Sequence, residues 1–543
     1  MTAPAHHRST SNQEVSAVLA LELVVLLGIA ILVCSRLGAR TGIAPPILLL
    51  AAGALLWFIP SMRAVHLPPE TMLLLFLPAL LYWEAITTSL RGIRRDLRGI
   101  ILSSTVLVIA SAGAVAAVAH AFGLPWGPAW VLGAALAPTD ATAVSVMGRV
   151  LPRRNITVLR AESLINDGTA LVVYGVAVSI TLGEESFSVP RIGWSFLLAY
   201  AGGAVAGAVI AWLAVLVRRR LHDPVLINVA IIVTPFAAFW LAEEIGASGV
   251  LAVVVAGLII SQIAPRIGRA DARRMTETSW TLATFVLNGS LFVLIGLEAQ
   301  SAVRNLTSVR VVTAVALVLV VAIVLIVVRA GFLFASAYTI RLLDRRPEQR
   351  LRRVPNRSRV VSGIAGFRGA VSLAAALAIP ESLTSGQPFP DRDAIILVAA
   401  GVIAFTLVVQ GALLPVVVRW ASLPADTLPE QERRFAETRA TELALAELPA
   451  IADELGTDPD VAERLRNDYE EHLRALAAEC DEANEPAAQH EQQYSALRLA
   501  LLARKRAVVV SLRDEHRIDD AVLLQLQTAF DTEEVRLSRN AAD

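Results

Sequence analysis

Lysine and cysteine are nearly missing from this chain. Lys505 is the single lysine, so almost every positive charge is an arginine. The two cysteines, Cys34 and Cys480, lie in an apolar block and in a polar tail, which argues against a structural disulfide and excludes a cysteine-based metal site. Net charge is missing too, because 48 acidic residues balance 48 basic ones, so composition gives no reason to expect a nucleic-acid partner.

The chain is rich in hydrophobic residues, which make up 55% of it and are grouped in long apolar blocks. A block of about 20 residues crosses the roughly 30 Å hydrocarbon core of a bilayer as a helix, and these blocks show no strand alternation. We therefore predict an all-α polytopic membrane protein with about thirteen transmembrane helices. The thirteen blocks are Val15–Cys34, Ile43–Ile59, Thr71–Ser89, Gly99–Phe122, Trp130–Met147, Ile156–Thr181, Trp194–Val217, Val225–Ala242, Ser248–Ile263, Ser279–Leu297, Val311–Tyr338, Val360–Ile379 and Ala394–Trp420.

Arginine placement predicts the orientation of these helices. Arginines cluster in every second loop, and the intervening loops carry only isolated ones, so the positive-inside rule places the N-terminus outside and the C-terminus in the cytoplasm. The first block could be a signal peptide, but we expect it to be a span, because Arg36 and Arg40 follow it where a cleavage site would lie. The arginine-rich loops contain Arg36/Arg40, Arg91–Arg98, Arg149–Arg154, Arg218–Arg220, Arg266–Arg274 and Arg341–Arg359.

Composition also divides the chain into three parts. Residues 1–14 form a polar N-terminus, residues 15–420 a transmembrane domain, and residues 421–543 a soluble, helical cytoplasmic domain. The last part shows three helical patterns, Glu430–Glu454, Pro459–Cys480 and Gln489–Thr532.

The most informative stretch is a polar island, residues 161–169, inside the sixth block. It carries the carboxylates Glu162 and Asp167 at a depth where a charge is costly, which by default indicates a functional site. Five residues correspond to about 140° around a helix, so the two carboxylates need not face the same cavity.

Two other blocks are interrupted in the middle. Pro138 and Asp140 lie in the fifth block, and a glycine-rich run, residues 363–370, carries Arg368 in the twelfth. Freed backbone groups in a membrane are tolerated where they line a cavity, which favours broken helices at an ion site. A simple kink at Pro138 is the alternative. Because the interruptions lie seven spans apart, blocks one to six and eight to thirteen are predicted to be inverted repeats.

Further polar residues lie among apolar neighbours. Glu84 and Arg329 either snorkel to the interface or reach the site, and Arg329 is then expected to pair with Glu162. Asn288 is assigned to helix packing. Carboxylates and hydroxyls without histidine or thiolate select hard cations. A carboxyl group in a low dielectric has a raised pKa, so it holds either a proton or a small cation, and such competition with alternating access yields cation/proton exchange.

At these residues the chain resembles the cation:proton antiporter-1 family of bacterial sodium/proton antiporters, which are related to sodium/hydrogen exchangers. The matching pieces are Pro138-Thr139-Asp140, Glu162–Gly168, Arg329 and Gly366–Ala370, and the similar order of spans covers about residues 15–420.

The resemblance implies a role for each matched residue. Asp167 is expected to carry cation and proton, and Asp140, Ser163, Thr139 and Glu84 to complete the shell around a transported Na⁺. Asn166 is counted among the cation- and proton-binding residues as well, and it replaces a second aspartate of electrogenic relatives, which implies electroneutral exchange. Glu162 and Arg329 are expected to form a structural ion pair, and Arg368 to compensate charge where the broken helices cross.

Sodium/proton antiport is therefore the leading hypothesis. The family resemblance implies a homodimer in the cytoplasmic membrane that exports Na⁺ or Li⁺ and regulates internal pH, with no cofactor and no enzymatic activity. Potassium/proton exchange is the close alternative. A cation channel fits less well, because the charged residues are spread over five blocks of one chain, and no intramembrane protease motif is present.

Overall fold

A computed structural model describes residues 6–64, 69–140, 153–183, 189–267, 270–305, 311–343, 355–423, 428–478 and 485–515, with a few isolated positions after them. The described residues are helical and contain no β-strand. They form two compact units, residues 1–424 and 425–543. The helices of the first unit are α1 (His6–Thr41), α2 (Pro45–Leu56), α3 (Pro69–Thr87), α4 (Leu90–Ala121), α5 (Trp126–Leu136), α6 (Arg153–Leu182), α7 (Val189–Arg220), α8 (Pro224–Glu244), α9 (Gly249–Ile267), α10 (Ala270–Asn305), α11 (Val311–Leu343), α12 (Asn356–Ile364), α13 (Ala370–Leu377), α14 (Arg392–Phe405) and α15 (Gly411–Ala421).

Each predicted apolar block overlaps one or two helices in the part of the chain that the structure describes. Among the described residues, nine helical segments are long and apolar enough to cross a membrane, and two shorter apolar helices, Pro45–Leu56 and Leu74–Thr87, accompany them. Large side chains on their outer faces are exposed and apolar, Val312 and Leu32 among them, as expected for helices that face lipid. The all-α polytopic fold is thus confirmed, while the number of thirteen crossings stays a prediction. Helix α1 begins at His6, inside the stretch predicted as a polar N-terminus.

The two interrupted blocks leave helical geometry at the predicted places, and the interruptions meet. Helix α5 ends at Leu136 and residues 137–140 are not helical; the rest of that block, with Arg149, lies outside the described residues. In the other block, residues 365–369 separate α12 from α13. The amide of Asp140 donates a hydrogen bond of 2.8 Å to the carbonyl of Phe367, which joins the two breaks. The predicted break is found in the twelfth block, and in the fifth block the described residues show the end of α5 and its contact with that break.

Two groups of packed helices surround this crossing. In one, α4 packs on α5, α6 and α11, and α11 packs on α14. Buried aliphatic side chains such as Leu132, Leu325 and Val402 fill the space between them. In the other, α9 packs on α3, α7 and α8 around Tyr82, Phe239 and Ile260, while α2 lies along α10. Helix α6 belongs to the first group and α3 to the second, so a site between them has a wall from each.

The second unit contains α16 (Leu428–Leu455), α17 (Pro459–Ala478) and α18 (Glu485–Asp514). The prediction of one helix over Gln489–Thr532 is wrong. Helix α18 ends at Asp514, and two ion pairs show that the chain then turns back: Arg498 pairs with Glu533 at 3.0 Å and Arg506 with Asp531 at 2.5 Å. Residues 25 positions apart in one straight helix are roughly 37 Å apart. Cys480 lies outside the described residues.

Candidate ion site

The polar island on α6 is buried, and its two carboxylates point to different sides of the helix. Glu162, Ser163, Asn166 and Asp167 are each at most 4% exposed. Ser163 and Asp167, one turn apart, line a cavity, whereas Glu162 is not part of its lining and points to Arg329. The two carboxylates of α6 therefore have different surroundings.

The cavity has a volume of about 50 Å³ and collects oxygen-bearing side chains from several helices. Five of the predicted ion-site residues line it, one from α3, two from the break after α5 and two from α6. These are Glu84, Thr139, Asp140, Ser163 and Asp167. Apolar side chains of α3, including Phe76 and Leu80, form much of the opposite wall. A few polar groups in an otherwise apolar cavity are typical of a small-ligand site.

Asn166, the remaining predicted ion-site residue, lies behind this cavity. It does not belong to the lining, and its side-chain amide donates a hydrogen bond of 2.8 Å to the hydroxyl of Thr139. A buried hydroxyl with a fixed donor has a defined orientation. Asn166 thus holds Thr139 in place at the break next to Asp140.

Arg368 occupies the crossing itself and is only 1% exposed. Its Nε donates to the carbonyl of Leu136 at 3.1 Å, and one terminal nitrogen donates to the carbonyl of Gly366. The carbonyl of Leu136 belongs to the C-terminal end of α5, where the helix dipole leaves partial negative charge, and the carbonyl of Gly366 lies in the break after α12. The guanidinium group therefore donates to a backbone carbonyl at each of the two interruptions.

Glu162 and Arg329 form a buried ion pair on the far side of α6. Arg329 Nη1 lies 2.5 Å from Glu162 Oε1, and both side chains are less than 5% exposed. Arg329 Nε also donates to the carbonyl of Ser362 on α12 at 3.0 Å. The pair connects α6 with α11 and with the segment before the second break. Arg329 does not snorkel.

Two cavity residues were not assigned to the site from the sequence. Asn288 of α10 was interpreted as a packing residue, and Ser372 was not considered, yet both line the cavity. The sequence did offer one signal for Ser372: it is a hydroxyl residue in the first helical turn after the glycine-rich interruption that ends at Gly369. Among the described residues, no three His, Cys, Asp or Glu side chains lie close enough to hold a resident metal ion. The lining of the cavity combines carboxylate oxygens with the neutral oxygens of Thr139 and Ser163.

Gly369 provides a test of this geometry. A Cβ atom at this position would overlap the carboxylate of Asp140, so we expect Gly369→Ala to displace Asp140 and to lower ion exchange at least about tenfold. Gly363→Ala in the same segment is the matched control, because its Cβ would make only ordinary contacts of 3.5 Å with Ala330. Exchange in proteoliposomes measures both; equal rates for the two variants would contradict the placement of Asp140.

Comparison with known proteins agrees with the resemblance drawn from the motifs. The family model "Sodium/hydrogen exchanger, transmembrane" matches residues 23–420. An uncharacterized Na⁺/H⁺ exchanger of Mycobacterium tuberculosis is 42% identical over 96% of both chains. A sodium, potassium, lithium and rubidium/H⁺ antiporter of Bacillus pumilus is 28% identical over 94% of this chain and 77% of its own.

A solved structure shares the fold. The sodium proton antiporter MjNhaP1 of Methanocaldococcus jannaschii superposes with a TM-score of 0.57 at 17% identity, covering 74% of this chain and 99% of that one. The resemblance drawn from the motifs is thereby confirmed. The match to the family model covers most of the transmembrane helices and both broken segments, and the chain belongs to the sodium/hydrogen exchanger family, whose members are transporters.

Proposed function

We propose that this protein is an electroneutral antiporter that exchanges one Na⁺ or Li⁺ for one proton through the cavity between α3 and α6. The observation that carries the proposal is the meeting of Asp140 and Asp167 in one small cavity at the crossing of two broken helices. Cation/proton antiport itself follows from the family; the ion, the stoichiometry and the residue roles are the proposal.

Competition at one carboxylate supplies the coupling. Asp167 is nearly inaccessible to solvent, so an uncompensated charge there is costly and the group is expected to hold a proton or a cation. Asp140, Ser163, Thr139 and Glu84 provide further oxygen ligands of the kind that hard cations prefer. Binding of Na⁺ displaces the proton, and alternating exposure of the cavity to the two sides of the membrane completes the exchange.

Asn166 supports the one-to-one ratio. Its side chain is neutral and is engaged by Thr139, so it offers no second proton site next to Asp167. One carboxylate that carries either one cation or one proton moves no net charge per cycle. A homodimer in the cytoplasmic membrane, with residues 421–543 in the cytoplasm and a role in internal pH control, completes the proposal.

Potassium is the second candidate ion. The printed name of the Bacillus pumilus relative includes potassium and rubidium besides sodium and lithium. The same oxygen ligands accept either ion, and the size of the closed cavity decides between them.

Reconstitution into liposomes with an imposed pH gradient tests the proposal. We expect Na⁺ and Li⁺ to dissipate the gradient more effectively than K⁺, and a valinomycin-imposed membrane potential to leave the initial rate unchanged, since no net charge moves. Protein-free liposomes are the control. Dissipation by K⁺ alone would show that K⁺, and not Na⁺ or Li⁺, is the transported cation. A marked dependence of the rate on membrane potential would refute the one-to-one ratio. No response to any of the three cations would refute antiport.

A further inference from the structure

A cluster of basic residues lies away from the ion site, where α11 ends and α12 begins. Asn356 donates a hydrogen bond of 3.4 Å to the hydroxyl of Tyr338, and Arg359 Nη1 donates to the side-chain oxygen of Asn356 at 2.6 Å. The guanidinium of Arg341 lies over the ring of Tyr338, 5.2 Å from its centre. Two arginines therefore converge on one tyrosine–asparagine pair.

Within the described part of the chain, no carboxylate pairs with the arginines of this cluster. Arg359 is only 8% exposed and its side-chain partner is a neutral amide. Both arginines contact the same pair of neutral side chains, Arg359 through Asn356 and Arg341 through the ring of Tyr338. A nearly buried guanidinium next to another without a counter-charge is unfavourable. The arrangement therefore favours the binding of an anion with several acceptor oxygens.

The surroundings indicate where that anion comes from. Arg357 lies over the ring of Trp420 at 5.7 Å, and Trp420 and Tyr338 are both at least half exposed. Exposed tryptophan and tyrosine beside arginine at the end of transmembrane helices are typical of the membrane interface. Arginine placement puts this end on the cytoplasmic side, where anionic headgroups attract basic side chains.

We propose that Arg341 and Arg359 bind the phosphate group of an anionic phospholipid at this interface. A phosphate presents several acceptor oxygens to the planar donor groups of two arginines, which is the pairing that guanidinium groups favour. Tyr338 and Trp420 then lie against the glycerol and upper acyl region of the same lipid. The site stabilises the join between α11 and α12 and is independent of the ion that is transported.

Lipid titration of the purified full-length protein in a neutral detergent tests this site. Phosphatidylglycerol is compared with phosphatidylcholine and with inorganic phosphate at equal ionic strength, and thermal unfolding and lipid retention in native mass spectrometry are measured. We expect saturable stabilisation by phosphatidylglycerol alone. Arg341→Gln is expected to weaken it about tenfold, the loss of one charge-assisted contact.

Arg341→Gln is the test variant because Arg341 is half-buried, whereas Arg359→Gln alters a buried contact on which folding depends. Arg220→Gln is the matched control, since it removes an exposed arginine from the end of α7, which the arginine pattern also places at the cytoplasmic side. Equal stabilisation by both lipids, or no difference between the two variants, would overturn the proposal. Saturable stabilisation by inorganic phosphate would reassign the site to a free anion.

Discussion

Asp167→Asn is expected to abolish cation/proton exchange, leaving the dissipation of a pH gradient in proteoliposomes at the protein-free background. Asparagine keeps the shape of the side chain but neither releases a proton nor offers a negative charge. Asp167 lines the cavity with Asp140 and Ser163 and is 4% exposed, so no solvent-borne group replaces it. The variant is therefore expected to lose both proton release and cation binding at this position.

The same variant is expected to fold at least as well as the wild type. A buried carboxylate costs free energy when charged, and an amide of equal size avoids that cost. We therefore expect an unchanged or raised unfolding temperature in detergent, which separates a functional defect from misfolding. Asp453→Asn in α16 is the control, because it removes an exposed carboxylate of the second unit, outside the transmembrane helices. Retained exchange in Asp167→Asn would refute the central role of this residue.

The spacing of residues along single helices was predictable from the sequence. Helical geometry indicated that Glu162 and Asp167 need not face the same cavity, and in the structure Asp167 lines the cavity whereas Glu162 points to Arg329. The two interruptions were predictable as well. Asp140 and Arg368 are charged residues in long apolar blocks, where a charge is costly in lipid, and Pro138 and the glycines before Arg368 interrupt a helix.

Contacts between distant parts of the chain were not predictable in this way. The hydrogen bond from Asp140 to Phe367 joins residues of the fifth and twelfth blocks, and nothing in either block specifies the other's register. The same limit explains Asn288, whose cavity position depends on how α10 packs against α3. In the second unit, the return of the chain along α18 depends on pairs such as Arg506 with Asp531, which helical periodicity does not reveal.

Arg329→Ala is expected to lower the yield of folded protein severely. The substitution leaves Glu162 buried without its counter-charge and the carbonyl of Ser362 without the donor on Arg329. Breaking one member of a buried ion pair typically costs about 3–5 kcal/mol, a large part of the stability of a domain. Monodisperse yield and unfolding temperature in detergent measure the loss. Arg219→Ala, at an exposed arginine near the end of α7, is the control.

Ion affinity in the surviving Arg329→Ala protein distinguishes a structural pair from a transport residue. Neither Glu162 nor Arg329 lines the cavity, so the apparent affinity for Na⁺ is expected to stay within about twofold of wild type. The double variant Glu162→Gln with Arg329→Met removes both charges and is expected to recover part of the yield, because the unpaired carboxylate causes most of the loss. A large change in affinity with normal yield would instead assign Arg329 to transport. A lowered yield with unchanged affinity would show that the pair stabilises the packing of α6 against α11 and α12, and with it the position of Asp167 next to the two interruptions.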